Sequence, residues 1–355
     1  MAAFEQFIGT RPVAPRHAFD EAALARWLRD HVEGFSGALV VEQFKGGQSN
    51  PTFLLGAGGR QYVLRRKPSG ELLPSAHAVD REFRVISALA NTGVPVARAH
   101  ALCEDAAVIG AMFYVMDYVP GRVIWDPSLP GMDPSQRRAH YDELGRVIAA
   151  LHCVDPAAVG LADYGKPGNY IERQVARWTR QYRASETGQI EAMERLIEWL
   201  PARIPPGDET RIVHGDYRFD NVIFHAAEPR ILAVLDWELS TLGHPLVDFA
   251  YHCMTWHMAG GENSRGLGSL DLPSLGIPTE AEYVQAYLRR TGRTSSVSPE
   301  HWTYFLVFNM FRLVGILQGI MKRAQQGNAS NAQALQAGKR ARPLAEQAWA
   351  LARSL

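Results

Sequence analysis

The chain has 355 residues, more than the roughly 250–300 at which one hydrophobic core stops growing, so two domains or lobes are expected. Apolar residues make up 46% and charged residues 21%, as in a soluble globular protein; 37 basic against 37 acidic side chains leave no basic excess of the kind a nucleic-acid or membrane-surface binder carries. Three widely spaced cysteines, Cys103, Cys153 and Cys253, encode neither a disulfide framework nor a zinc ribbon and fit a cytoplasmic location, and Met1–Pro12 lacks the basic start and apolar run of a secretory signal.

Asp20 is placed to cap a helix whose apolar face is Leu24, Trp27, Leu28 and His31. Strand-like runs follow at Ala38–Phe44, Thr52–Leu55, Gln61–Leu64 and Met112–Tyr118, rich in β-branched and aromatic residues and punctuated by Gly. One helix is expected between the last two, over Ala76–Ala90, opened by Pro74 and Ser75 and closed near Gly93. The first third therefore predicts a small antiparallel sheet with one helix. From Gly121 the pattern turns helical: Tyr141, Leu144, Ile148 and Leu151 recur at helical spacing, as do Ile171, Val175 and Trp178. Three short apolar runs, Ile212–Val213, Val222–Phe224 and Ile231–Leu235, interrupt the helices, and Gly260–Gly276 is long enough for a functional loop. Within the most apolar stretch, Trp302–Met321, stand Asn309, Arg312 and Gln318. They predict a buried helix, because a central Arg costs about 2.5–3.5 kcal/mol in a membrane span.

Chemistry concentrates in His214-Gly-Asp-Tyr-Arg-Phe-Asp-Asn221, followed by Leu235-Asp236-Trp237-Glu238 after a short hairpin. Phosphoryl transfer needs a carboxylate to orient or deprotonate the attacking hydroxyl and hard oxygen ligands for Mg²⁺ on the nucleotide phosphates. Asp216 can supply the first, Asn221 and Asp236 the second.

With these motifs the chain resembles the aminoglycoside phosphotransferase and choline kinase branch of the protein-kinase-like fold. Within that branch it is most similar to the phosphotransferase-like domains attached to, or encoded beside, acyl-CoA dehydrogenases. Tyr62-Val-Leu-Arg-Arg-Lys-Pro68, Arg81-Glu-Phe-Arg-Val85 and His214–Phe224 carry the closer likeness, which spans about Glu42–Lys322. The resemblance implies an α+β fold of two lobes: an N-lobe over 1–120, a small antiparallel sheet with one helix, and a mainly helical C-lobe over 121–355. It also implies ATP and Mg²⁺ as cofactors and a small-molecule hydroxyl as acceptor, with no nucleic-acid or membrane partner and the oligomeric state open. A hydroxyacyl-CoA or similar metabolite is slightly favoured over an aminoglycoside; the alternative is a nucleotide-binding pseudoenzyme serving as a regulatory module.

Residue by residue, the resemblance places the phosphate-covering loop at Phe44–Thr52, with Gly46, Gly47, Ser49 and Asn50 toward the nucleotide. Glu82 shares a helix face with Val79, Phe83 and Ile86, which points a charge at the core and demands a partner. The family pairs this Glu with a strand Lys, and here that position is Arg65. Arg can clamp a carboxylate or phosphate through two donors, so the role can survive the change. Met116, Asp117 and Tyr118 match the adenine hinge, His214 the residue that orients the catalytic loop, and Asp248 the helix-start carboxylate that buttresses it. Arg218 is either a contact to the transferring phosphate or an exposed loop Arg. His152 reads as a satisfied core histidine.

The formal neutrality hides a pattern. Residues 1–120 carry 12 basic and 12 acidic groups, 121–260 carry 14 against 19, and 261–355 carry 11 against 6. Either the basic tail is a solvated helical surface, or it faces the acceptor and suits an anionic one.

Overall fold

In β3 (Thr52–Ala57) buried and half-buried residues alternate strictly, which is what a sheet with one face against a core requires. The computed structural model describes residues 8–46, 50–68, 78–259, 266–293, 297–326 and 334–355. Among these a six-stranded antiparallel sheet runs in the order β1-β2-β3-β4-β6-β5, with β1 at Thr10–Arg11, β2 at Val40–Phe44, β4 at Arg60–Arg66, β5 at Ala99–Cys103 and β6 at Phe113–Asp117. Helix α1 (Glu21–His31) starts at Asp20, whose side chain accepts from the Ala23 N–H, and its Leu24 and Leu28 join the core formed by Phe53, Leu55, Leu64, Phe113 and Val115. Helix α2 (Val79–Leu89) is the helix expected over Ala76–Ala90; residues 76 and 77 lie outside the described part. Strands β1 and β5 were not expected. The first is two residues long, and β5, Ala-His-Ala-Leu-Cys, has no β-branched residue to announce it.

The chain forms two compact units: Met1–Trp125 with Ala157–Leu161 and Phe219–Ser240, and Asp126–Pro156 with Ala162–Arg218 and Thr241–Leu355. A single division at 120/121 therefore does not describe the packing, because residues 219–240 go with the sheet. Their hairpin, β8 (Val222–Phe224) with β9 (Ile231–Val234), is tied to the sheet's own chain. Arg122 and Phe224 exchange two backbone hydrogen bonds at 2.7 and 2.8 Å, and Val234 N–H donates to Pro95 O at 2.9 Å.

In the second unit α3 (Pro134–Cys153) opens with a capping box between Asp133 and Gln136. Helices α4 (Tyr170–Ser185), α5 (Glu191–Ala202), α6 (Pro245–Cys253), α7 (Leu272–Leu275) and α8 (Glu280–Arg290) follow. A 27-residue α9 (Pro299–Gln325) and then α10 (Ala334–Lys339) and α11 (Ala341–Ala352) complete the unit. By length and composition α9 could cross a membrane, yet 78% of its most apolar window is buried inside the protein, as the sequence predicts for a core helix. Its polar residues are bonded: Asn309 Nδ2 donates to Val247 O, and Gln318 Oε1 accepts from the Thr187 hydroxyl. Strands β7 (Arg211–Val213) and β10 (Thr241–Gly243) pair antiparallel in this unit and set the start of the His214 loop.

A Cβ on Gly121 would overlap the Ile223 side chain and the Phe224 carbonyl, so the hairpin is seated on a position only glycine can fill. Gly121→Ala should destabilise the protein by about 1–3 kcal/mol, the usual cost of overpacking, read as a lowered urea midpoint.

Candidate active site

Glu82 is 1% exposed, and its carboxylate is fully engaged within the sheet unit. Asn50 Nδ2 donates to Oε1 at 2.9 Å, Tyr114 Oη donates to Oε2 at 3.1 Å, and Arg65 Nε lies 2.8 Å from Oε2. Register explains the convergence: Arg65 is paired with Thr52 on one side and Tyr114 on the other, so Arg65 and Tyr114 leave the same sheet face side by side. Burial pushes the Glu82 carboxyl above its ordinary range, and Arg65 and the Tyr114 hydroxyl pull it back. Burial also opposes charge on Arg65, but Glu82 and Asp236, with Tyr114 and Glu238, outweigh it and keep the guanidinium protonated.

Arg65 uses its other arm on the second motif. Nη2 donates to Asp236 Oδ1 at 2.6 Å, and Glu238 Oε2 stands 3.9 Å away. Asp236 follows β9 with φ of 62°, in the left-handed region that Asp tolerates better than most residues. Asn221 ends the 3-10 turn Phe219–Asn221, and its carbonyl accepts from the Leu235 N–H at 2.8 Å, which brings Asn221 to within one residue of Asp236 across the hairpin. An Asn and an Asp brought opposite each other by the hairpin offer an amide oxygen and a carboxylate, the hard donors that Mg²⁺ takes, so these residues fit that ion.

In the second unit the catalytic-loop motif hangs from one buried carboxylate. Asp248 accepts from His214 N–H at 2.7 Å and from Gly215 N–H at 2.8 Å, and His152 Nε2 lies 3.2 Å from its Oδ2. Burial would lift Asp248, but the bonds from His152 and His214 hold its carboxyl below the ordinary range. The other nitrogen of His152 meets the Tyr287 hydroxyl at 2.7 Å, so this is the satisfied core histidine expected. His214 is buried, and its Nδ1 accepts from the Asp216 N–H at 3.1 Å, which turns the loop so that the Asp216 side chain projects from it. Arg218 Nη2 donates to Asp216 Oδ2 at 3.1 Å, which makes it neither a free loop Arg nor a distant one.

The remaining expected site residues fall as follows. Gly46 is the second residue after β2, while Gly47 and Ser49 lie outside the described residues. Asn50 is buried and its amide is committed to Glu82, so it supports the ion pair from behind the loop. Met116 and Asp117 end β6, and Tyr118 follows. The N–H of Asp117 donates to Arg98 O at 2.9 Å and that of Tyr118 to Gln61 O at 3.4 Å, so both donors are spent in the sheet. Of the Gly260–Gly276 loop, residues 260–265 are outside the described part; beyond them Leu267 and Gly268 donate to Thr255 O and Met258 O. Two residues of this region were missed by sequence reasoning, Tyr251 and Arg312. Tyr251 stands three residues after Asp248 on α6, a spacing that puts both on one helix face and could have found it.

A sheet unit that holds a buried Arg–Glu pair against Asp236, and a His-x-Asp loop pinned by a buried Asp, define a protein-kinase-like phosphotransferase. The chain belongs to the phosphotransferase enzyme family, which it matches over residues 40–295. It is 48% identical over 343 residues to acyl-CoA dehydrogenase family member 10 of Mus musculus, a match covering 96% of this chain and 32% of that protein. The chain thus spans about a third of the length of that relative. A solved structure from Ralstonia eutropha JMP134, described provisionally as an aminoglycoside phosphotransferase, is 59% identical and covers 95% of this chain and 99% of its own, with a TM-score of 0.87. A variant of aminoglycoside phosphotransferase APH(4)-Ia, solved with ADP and hygromycin B, shares the fold at 16% identity, covering 94% of this chain and 98% of its own with a TM-score of 0.60.

Two further histidines near the loop are held neutral: burial lowers His244 to about 4 and His252 to about 3. An unfolded His titrates near 6.5, so each contributes stability that is complete above that pH and is lost as pH falls toward the folded value. Between pH 6.5 and 5, where carboxylates stay ionised, the melting temperature should fall, and His252→Gln should reduce that slope in a calorimetric series.

Proposed function

We propose that the protein is an ATP-dependent kinase of a small molecule, moving the γ-phosphoryl group onto an acceptor hydroxyl. The observation that carries this reading is Arg65, held between Glu82 and Asp236 where a nucleotide-phosphate cation is needed. Asp216 accepts the acceptor's hydroxyl hydrogen and takes the proton late, as the new P–O bond forms and the bond to the ADP oxygen breaks. Arg65 and Arg218 stabilise charge on the phosphoryl oxygens. Asn221 and Asp236 would hold Mg²⁺, which when bound neutralises charge on the β and γ phosphates. With the N–H groups of Asp117 and Tyr118 engaged in the sheet, reading an adenine edge falls to the chain just beyond them, at Val119.

For the acceptor, the relatives' names support an acyl-CoA thioester bearing a hydroxyl over an aminoglycoside. The basic tail adds little to that choice. Lys322 donates to Ala184 O and Arg342 to Gln189 O, which are structural ties, whereas Arg312 reaches the His214 loop at Gly215 O. A second reading, a nucleotide-binding regulatory module, draws on the same Arg65, because its bond to Asp236 Oδ1 covers one oxygen of the metal ligand.

Transfer from Mg-ATP to hydroxyacyl-CoA, aminoglycoside and amino-alcohol panels separates these readings, with Asp236→Ala as the blank. Asp216→Ala should lower kcat by about 10²–10⁴, the worth of one general base. Wild-type turnover in that variant would remove Asp216 from the mechanism. Nucleotide binding without transfer to any panel would leave the regulatory module.

A further inference from the structure

Both oxygens of Asp216 are addressed from within the helical unit. Tyr251 Oη donates to Oδ1 at 2.6 Å, and Arg218 Nη2 donates to Oδ2 at 3.1 Å. The two donors differ in how firmly they are held. Arg218 is about a third exposed on the loop, whereas Tyr251 is buried on α6, one turn from the Asp248 that pins that loop. The Tyr251 ring is also braced: the Arg312 guanidinium lies 4.9 Å from its centroid and 5.3 Å from the Trp178 ring, while Arg312 Nη2 donates to Gly215 O at 2.6 Å. Arg312 is buried in the middle of α9, a position with no electrostatic value to the core itself. Its cost is offset by the Gly215 carbonyl and by two aromatic rings, one of them that of Tyr251, which itself bonds Asp216.

We infer that Tyr251, braced by Arg312, is a positioning residue for phosphoryl transfer: its hydroxyl fixes Oδ1 of Asp216, so that Oδ2 is the oxygen presented to the acceptor. This rests on the reading that Asp216 receives the acceptor hydroxyl. The two contacts then divide the labour. Arg218 can leave Oδ2 for the phosphoryl oxygens by a side-chain rotation, because it is on a loop and partly solvated. Tyr251 cannot leave without unpacking α6 from α9. The carboxylate therefore keeps its aim while one of its oxygens changes partners.

The electrostatics agree with an aimed carboxylate more than with a strong base. Burial lifts the Asp216 carboxyl, and the groups facing it outweigh burial and hold it below the ordinary range: Arg218 and His214 from the loop, the Tyr251 hydroxyl from α6, and Arg312 from α9. Burial and the Asp216 charge push the Tyr251 phenol far up, so it stays a donor. A loose phosphoryl-transfer transition state asks little proton abstraction early on, and a weak, well-oriented acceptor serves it.

Tyr251→Phe tests the inference on the full chain, since the ring and its Arg312 contact are kept and only the hydroxyl is lost. The expected result is a fall in kcat of about tenfold, the worth of one hydrogen bond to a charged group, with KM for ATP unchanged. The ¹³C carboxyl resonance of Asp216, assigned by its loss in Asp216→Asn, should titrate at higher pH in Tyr251→Phe than in the wild type. An unmoved titration overturns the inference, and so does an unmoved kcat in a preparation whose wild type transfers phosphate. If the wild type transfers to no acceptor, the kinase reading fails by itself, and the positioning claim falls with it only where the titration is also unmoved.

Discussion

A carboxylate buried on the inner face of α2 is the constraint around which the sheet unit is organised. Glu82 has almost no contact with solvent, and an uncompensated charge there would cost several kcal/mol. The sheet answers with a cation from β4 and a hydroxyl from β6, adjacent in register, and with the Asn50 amide from just before β3. Two strands, the segment just before β3 and a helix are thus tied to one carboxylate. Because Arg65 offers a planar fork, one arm satisfies Glu82 and another reaches Asp236 without either carboxylate being left unpaired. A lysine would bring a single point of charge to the same place and would have to share it. The departure from the family's strand Lys is therefore a change in geometry, and the buried pairing it serves is intact.

The helical unit has a matching constraint in Asp248. Its two oxygens take the N–H groups of His214 and Gly215, which leaves the loop no freedom to swing away from β7. Gly215 has φ of 85°, and that conformation turns the chain sharply enough for the Asp216 N–H to come back to His214 Nδ1. Three consecutive backbone N–H groups of the loop are thus held by the Asp248 carboxylate and the His214 ring. A held backbone suits a site whose carboxylate must keep its position.

Much of this was legible in the sequence, for reasons that differ by element. The charge of Glu82 on an apolar helix face announced a buried pair, because a local pattern that points a charge at the core carries a physical penalty, whereas Arg65 was named as its partner through the family resemblance. The spacing within His214–Asn221 was legible as chemistry through likeness to known kinases, and the structure shows His214, Gly215, Asp216 and Arg218 bonded to one another or to Asp248. What was not legible depended on contacts far apart in the chain. Strand β5 has no propensity signal and is held by pairing with β6. Residues 219–240 join the sheet unit through backbone bonds to Arg122 and Pro95 that no periodicity encodes. Asn50 looked like a phosphate-loop residue because of its neighbours, while its amide is oriented by a carboxylate 32 residues away. Arg312 was legible as part of a buried helix but not as a partner of Gly215, which lies 97 residues earlier in the chain.

Asp236 joins these arguments at the level of the backbone. A non-glycine residue with positive φ carries a cost of order 1–3 kcal/mol that the surroundings must offset. Two fixed points flank it: the Leu235 N–H is bonded to Asn221 O, and the Trp237 indole, fully buried, donates to Val234 O. With the chain held on both sides, the left-handed turn at residue 236 is the one way to keep the hairpin closed and still send the carboxylate toward Arg65. Strain at this residue is thus balanced by the hairpin behind it and by the ion pair in front. The same ion pair has a second consequence. Any cation that takes Asp236 Oδ1 does so in competition with Arg65, so the electrostatic state of Asp236 is coupled through one guanidinium to Glu82 and to the packing of α2 on the sheet.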